Sequence, residues 1–181
     1  MNELSLYILD IAQNSIAARA QNIEISINEN RCNNFLIIEI SDDGKGINKE
    51  LLLNVTNPFY TTRTSRKVGL GLPLLREICE LSNGSLEIQS IENVGTKIKA
   101  VMEYDHLDRL PIGNIVETIY ALILNNQIDL VYQHIINNKI FIFKSKEIKD
   151  ILDGVSITDY EVMKWIKEYI ASGINCLEEE K

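Results

Sequence analysis

Two short glycine clusters constrain this chain more than any other feature: Asp42-Asp43-Gly44-Lys45-Gly46 and Val68-Gly69-Leu70-Gly71-Leu72. Each sits where a regular element meets a loop, and each alone is a common turn signal. Read in order behind an upstream Asn14, they describe a pocket for a purine nucleotide and its metal-bound phosphates.

The surrounding pattern supplies the elements that such a pocket needs. Leu4, Ile8, Ile11, Ser15 and Ala18 fall on one stripe of a predicted helix over 3–20. Residues 23–27 alternate as a half-buried strand, 28–34 read as a polar turn, and 35–40 form a second strand of the same hairpin. The first glycine cluster follows as a loop, and 48–55 read as a short helix. Residues 56–71 are rich in Thr, Ser, Arg and Gly without an apolar period, which reads as a mobile loop. Helical spacing resumes over 72–81 and stops at Asn83-Gly84. Strands over 85–90 and 96–103 follow, joined by a turn at 93–95. A boundary near Tyr104 divides a domain over 1–103 from an extension over 104–181. In the extension, helix is expected over 113–126, a hairpin over 128–136 and 139–144, and helices over 145–152 and 158–173.

Composition closes off several classes of function. A net charge of −8 and the lack of a basic stripe argue against a nucleic-acid partner. No apolar run is long enough to span a bilayer, so no membrane role is expected. The N-terminus has no signal-peptide pattern. Cys32, Cys79 and Cys176 are odd in number and widely spaced, which fits reduced thiols in a cytoplasmic protein rather than a metal or disulfide framework.

The candidate site residues can be read chemically. Asp10 and Asn14 lie four apart, on one helix face. A carboxamide oxygen there can ligate Mg2+, and a carboxylate can accept a proton from an attacking water or hydroxyl. Two polar residues on an exposed stripe would look the same. Asp42 at a strand end can accept from an exocyclic amine, as an acidic side chain does at a base edge, and Gly44 and Gly46 permit close approach of the main chain to a flat ring. A glycine turn is the alternative. Gly69 and Gly71, leading into a helix with Pro73 in its first turn, offer free N–H groups to an anion. No Gly-Lys-Ser/Thr follows, so this is not a Walker loop. Arg63, Arg66 and Lys67 could bring charge over phosphates, or simply be solvated.

Taken together these residues resemble the GHKL ATPases: gyrase, heat-shock chaperones, histidine kinases and mismatch-repair proteins of the MutL type. The resemblance covers residues 3–103 in motif order. Asp10-Ile-Ala-Gln-Asn14 looks like the N box, Asp42-x-Gly44-x-Gly46 the adenine box, and Gly69-x-Gly71-Leu72 the second glycine box. Pro58-Phe59-Tyr60-Thr61-Thr62 resembles the lid of histidine kinases, and Gly95-Thr96 the family's Gly-Thr. The resemblance implies an α+β Bergerat fold, an α/β sandwich of a mixed sheet with helices on one face, here carrying a small α/β C-terminal extension. It implies an ATP site of Asn14, Asp42, Gly44, Gly46, Ile47, Thr62, Arg63, Gly69, Leu70, Gly71, Leu72 and Thr96. Asn14 would hold Mg2+, Asp10 would be the catalytic base, and Thr96 would help hold Asp42 and a water.

Departures from the family shape the functional expectation. No His precedes Asn14, so a self-contained histidine kinase of the usual layout is not expected. Asp10 stands where histidine kinases tend to carry Asn, and hydrolytic members and anti-sigma kinases Glu. One expectation is therefore a stand-alone regulatory kinase or ATPase passing the γ-phosphoryl of ATP to a partner protein or to water. The alternative is an ATP-driven binding module, which the MutL-like Asn14-Ser15-Ile16-Ala17-Ala18 favours. The extension, with its amphipathic last helix, offers a partner or homodimer surface.

Overall fold

The computed structural model describes residues 2–52 and 71–179. Six strands form one mixed sheet: β1 (Asn22–Asn30), β2 (Phe35–Asp42), β3 (Ser85–Ile91), β4 (Gly95–Glu103), β5 (Asp129–Ile136) and β6 (Lys139–Lys144). Their spatial order is β3-β4-β2-β1-β5-β6, so the C-terminal hairpin continues the same sheet past β1. Only the β1–β5 pair is parallel. The strands alternate: Ile23, Ile25, Ile27, Leu36, Ile38, Ile40, Ile98, Ala100 and Met102 are all buried on one face. The helices pack there, α1 (Leu4–Ala17), α3 (Gly71–Leu81), α4 (Ile115–Ile123) and α6 (Tyr160–Glu178) supplying Leu4, Ile8, Leu75, Cys79, Ile119, Ile166 and Ile170 to the core. The short helices α2 (Lys49–Leu52) and α5 (Ser145–Ile151) complete the fold, which is the α+β sandwich expected.

Asparagine makes the turns. Asn34, Asn83, Asn93 and Asn137 all adopt positive φ, between 53 and 61°, a region that Asn tolerates better than most residues. These are the positions where the sequence announces a turn.

The longest overruns of the predicted ends, in β1 and α6, have physical reasons. β1 continues to Asn30 instead of breaking at Asn28, because Glu29 points into the core and interrupts the apolar alternation. His134 and Arg31 meet its carboxylate at 2.7 and 3.1 Å. Helix α6 continues through Gly173 to Glu178. A Cβ at Gly173 would lie 2.1 Å from the ring of Phe141, so the glycine serves contact with β6 rather than helix termination. The extra turns deliver Glu178 to Arg31 in a bidentate pair at 2.6 and 2.7 Å.

Glu29 is the hub of a buried polar chain. His134 bridges it to the Tyr132 hydroxyl, with ring nitrogens 2.7 Å from Glu29 and 2.6 Å from Tyr132. Burial pushes the Glu29 carboxyl up, but hydrogen bonds from His134 and Arg31 outweigh it and hold the carboxyl below its usual range. Burial, then the Glu29 charge, raise the Tyr132 phenol.

The start of α1 is tied to the C-terminal half. Its first amides, Leu4 and Ser5, donate to the carbonyls of Pro111 and Ile112 at 2.9 and 2.8 Å, satisfying donors that a helix leaves unpaired. Thr118 of α4 donates to the Ser5 carbonyl. The helix that carries Asp10 and Asn14 is thus fixed at one end by residues 111–118. Among the described residues, no helix is long and apolar enough to cross a membrane.

Candidate functional site

β2 ends at Asp42, opposite Thr96 of β4. The Asp42 carboxylate is held by two donors: the Ser15 hydroxyl of α1 at 2.6 Å on Oδ2, and the Gly44 amide at 2.8 Å on Oδ1. A carboxylate has about four acceptor positions, so two donors orient it and leave capacity for a third. Gly44 is required by its neighbours. A Cβ there would stand 2.9 Å from Asp42 Oδ1 and 3.0 Å from the Ala18 carbonyl. The next amide, Lys45, donates to that carbonyl at 3.0 Å, which pins the loop to the end of α1.

The adjacent Asp43 has a different role. It accepts from the Gln21 and Asn22 amides at 2.8 Å each and from the Asn22 side chain at 2.7 Å. Burial raises its carboxyl, but these hydrogen bonds prevail and hold it below the usual range. Asp43 therefore fixes the loop against the start of β1.

A hydroxyl chain supports the far side of the loop. Ser90 accepts from the Ile47 amide at 2.8 Å, lies 2.9 Å from the Thr96 hydroxyl and donates to the Gly95 carbonyl at 3.0 Å. With its one proton given to Gly95, Ser90 accepts from Thr96, so the Thr96 oxygen is left with acceptor capacity only. Gly46 has φ +65°, and a Cβ on it would be 2.1 Å from the Ile91 carbonyl. Gly95, φ +145°, approaches the Asp42 carbonyl in the same way, at 2.0 Å. Both glycines let backbone meet backbone, and so bring Asp42, Ile47 and Thr96 to one end of the sheet.

Asp10 and Asn14 lie on α1 beside this end, both half-buried. The Asp10 carboxylate abuts the first residue of α3: a Cβ on Gly71 would sit 2.1 Å from Asp10 Oδ2. A carboxylate is favoured there by the positive end of the helix. Leu72 is half-buried against the core, and Pro73 is buried in the first turn. Thr62, Arg63, Gly69 and Leu70 lie outside the described residues, as do Pro58–Thr61, Arg66 and Lys67. So the structure gathers Asp10, Asn14, Gly71, Asp42, Gly44, Gly46, Ile47 and Thr96 around the ends of α1, β2 and α3.

The sequence profile of the histidine kinase-, DNA gyrase B- and HSP90-like ATPases matches residues 2–106. The chain belongs to this ATPase family. Its relatives include sporulation kinase C of Bacillus subtilis, 29% identical over 56% of this chain and 23% of that protein. Sensor histidine kinase YclK of the same organism is 36% identical over 50% of this chain and 20% of its own length. The ATPase-family chain therefore spans less than a quarter of these relatives. A solved structure, described as the N-terminal domain of a DNA repair protein, shares the fold at TM-score 0.54 and 19% identity, over 78% of this chain and 52% of that one. Membership makes the matched region an ATP-binding, kinase-like domain.

Three supporting residues escaped the sequence reading. Ser15 falls on the apolar stripe of α1, where a hydroxyl signals a buried partner. Asp43 was hidden beside Asp42. Ser90 carries no local signal, since its role is set by Ile47 and Thr96 across the loop.

Proposed function

We propose that the domain binds Mg-ATP at the α1–β2–α3 end and uses it on a partner protein or on water. The observation that supports this best is the Asp42 carboxylate, held from two sides by Ser15 and Gly44 and retaining acceptor capacity. That is the arrangement needed to take a hydrogen bond from the exocyclic amine of adenine. Thr96, an acceptor across from Asp42, would complete the base site with a water. The donor set fits the rest of the ligand: Asn14 offers a hard oxygen for Mg2+, and Gly71 brings backbone close against the Asp10 carboxylate. The metal, when bound, would neutralise phosphate charge. Asp10 would accept the proton of the attacking group, and Arg63 would supply charge to the phosphates.

In this reading the chain is a regulatory kinase or ATPase of the signalling type. A second reading, an ATP-driven binding module without kinase activity, is favoured by the ties from α1 to residues 111–118. A shift of α1 on nucleotide binding would be felt directly in the C-terminal half. Incubation with γ-labelled ATP and cell lysate separates transfer to protein from hydrolysis. Label on a protein, lost in Asp10→Asn, supports the kinase. Label released as phosphate supports a hydrolytic switch and counts against the kinase, and retention of all label on ATP contradicts turnover of either kind.

A further inference from the structure

The six-stranded sheet ends at β6, and we propose that this open edge takes an extended, basic segment of a partner protein as a further strand. The segment would run antiparallel to β6, with apolar side chains on the outer face of the sheet and Lys or Arg on the helix face. β1 and β5 lie between this edge and β2, the strand that ends at Asp42.

β6 pairs with β5 on one side only. The turn between them holds Asn137 and Asn138, so Ile136 and Lys139 flank it as a pair. In such a turn the last amide donates to the first carbonyl, and the alternation of an antiparallel ladder follows from that bond. Lys139, Phe141 and Phe143 therefore turn their main-chain groups to β5, and the N–H and C=O groups of Ile140 and Ile142 point away from it. The side chains of Ile140 and Ile142 are apolar, and 52% and 44% exposed. Charged residues commonly guard such an edge against pairing. Here the lysines at its two ends are engaged elsewhere: Lys139 on the Leu177 and Glu179 carbonyls at the end of α6, Lys144 on Glu147.

Helix α6 sets the chemistry of the occupant. Gly173 lies against Phe141, and Leu177 against Lys139, so α6 runs back along β6. On one side of the helix Lys167 pairs with Glu117 of α4. Trp165 and Tyr169 lie on the other side, toward the open edge, where the Tyr169 and Phe141 ring centres are 5.5 Å apart. The Trp165 and Tyr169 rings stack at 5.2 Å and are 50% and 41% exposed. Glu161 and Glu168 stand one helical turn before and after Trp165, on the same face. Both are exposed, and among the described residues neither carboxylate has a partner. Ring faces and acidic groups side by side attract a cation together. A second copy fits this edge badly, because it would bring its own Glu161 and Glu168 to the same shelf in a chain of net charge −8. A basic strand complements both the shelf and the whole chain. Strand addition draws affinity from main-chain hydrogen bonds and specificity from alternate side chains.

Trp165 is the single tryptophan of the chain, so its fluorescence reports on this edge directly. The probe is the end-capped peptide Val-Arg-Val-Arg-Val-Arg-Val, titrated into the full chain. Saturable binding with a shift of Trp165 emission is expected, weakening as salt is added. The valines would stand opposite Ile140 and Ile142, with their amides turned to β6. N-methylation of the Val amides should therefore weaken binding by more than about tenfold, and N-methylation of the Arg amides should be tolerated. Glu161→Gln combined with Glu168→Gln, at exposed positions, should weaken binding about threefold to tenfold with circular dichroism unchanged. Absence of both an emission shift and a calorimetric signal overturns the proposal. So does equal binding of Val-Glu-Val-Glu-Val-Glu-Val, or of the peptide methylated on its Val amides. Sedimentation of the chain alone as a dimer that Ile142→Lys dissociates would overturn it too, by giving the edge to a second copy.

Discussion

Ser15→Ala isolates the contact that links α1 to Asp42, the carboxylate proposed to read the base. The Ser15 hydroxyl has one proton and two acceptors in reach, Asp42 Oδ2 at 2.6 Å and the Ile11 carbonyl at 3.4 Å. The short contact takes it. A hydrogen bond to a charged group contributes about 1.5–3 kcal/mol. Asp42 is only half-buried, so water replaces part of the loss, leaving roughly 1–2 kcal/mol of folding stability. Binding should suffer separately. Without Ser15 the carboxylate keeps only the Gly44 amide and regains rotamer freedom. Immobilising it again costs about 0.5–1.5 kcal/mol, which is roughly a twofold to tenfold loss of ATP affinity. Calorimetric titration measures the binding change, and thermal denaturation the folding change. Inorganic triphosphate, which lacks the base, should compete for the site as well in the variant as in the wild type. Undiminished ATP affinity in a destabilised Ser15→Ala protein would refute the positioning role and leave Ser15 as packing alone.

Gly46→Ala should destabilise the fold by about 1–3 kcal/mol or more, since φ is +65° and the new Cβ would meet the Ile91 carbonyl at 2.1 Å. A urea midpoint shift of less than about 0.5 kcal/mol would show that the loop relaxes freely. Acid stability should reflect Glu29 and Asp43, whose carboxyls are held below their ordinary values of 4.5 and 3.8. A depressed folded-state value contributes stability above the ordinary value, which is lost as pH falls through the folded one. Melting temperature should therefore drop below about pH 4.5, and Glu29→Gln should flatten that acid limb. A variant that melts with the wild-type pH profile would remove Glu29 from the account.

The sequence announces its elements where a local signal exists. Asn83, Asn93 and Asn137 mark real turns, and the apolar alternation of Ile23, Ile25 and Ile27 marks β1. Reading fails where the explanation lies far along the chain. Glu29 looks like the polar end of a strand until His134, 105 residues away, is seen to hold it. Gly173 looks like a helix terminus until Phe141 is placed beside it. Nor does any local pattern announce that β5 pairs in parallel with β1, because a parallel partner leaves no turn between the strands. In the site, Asp10, Asn14, Asp42 and the glycines are visible by type and spacing. The residues that hold them, Ser15, Asp43 and Ser90, are hydroxyls and a carboxylate whose meaning comes only from contact.

The proposed function turns on recognition of adenine by Asp42. Titration of the wild-type chain with ATP and GTP in magnesium, repeated with Asp42→Asn, tests it most directly. The expected result is a single saturable ATP site, a clear preference over GTP, and loss of that preference in the variant. Equal binding of the two nucleotides by the wild type, or no binding of either, would contradict it.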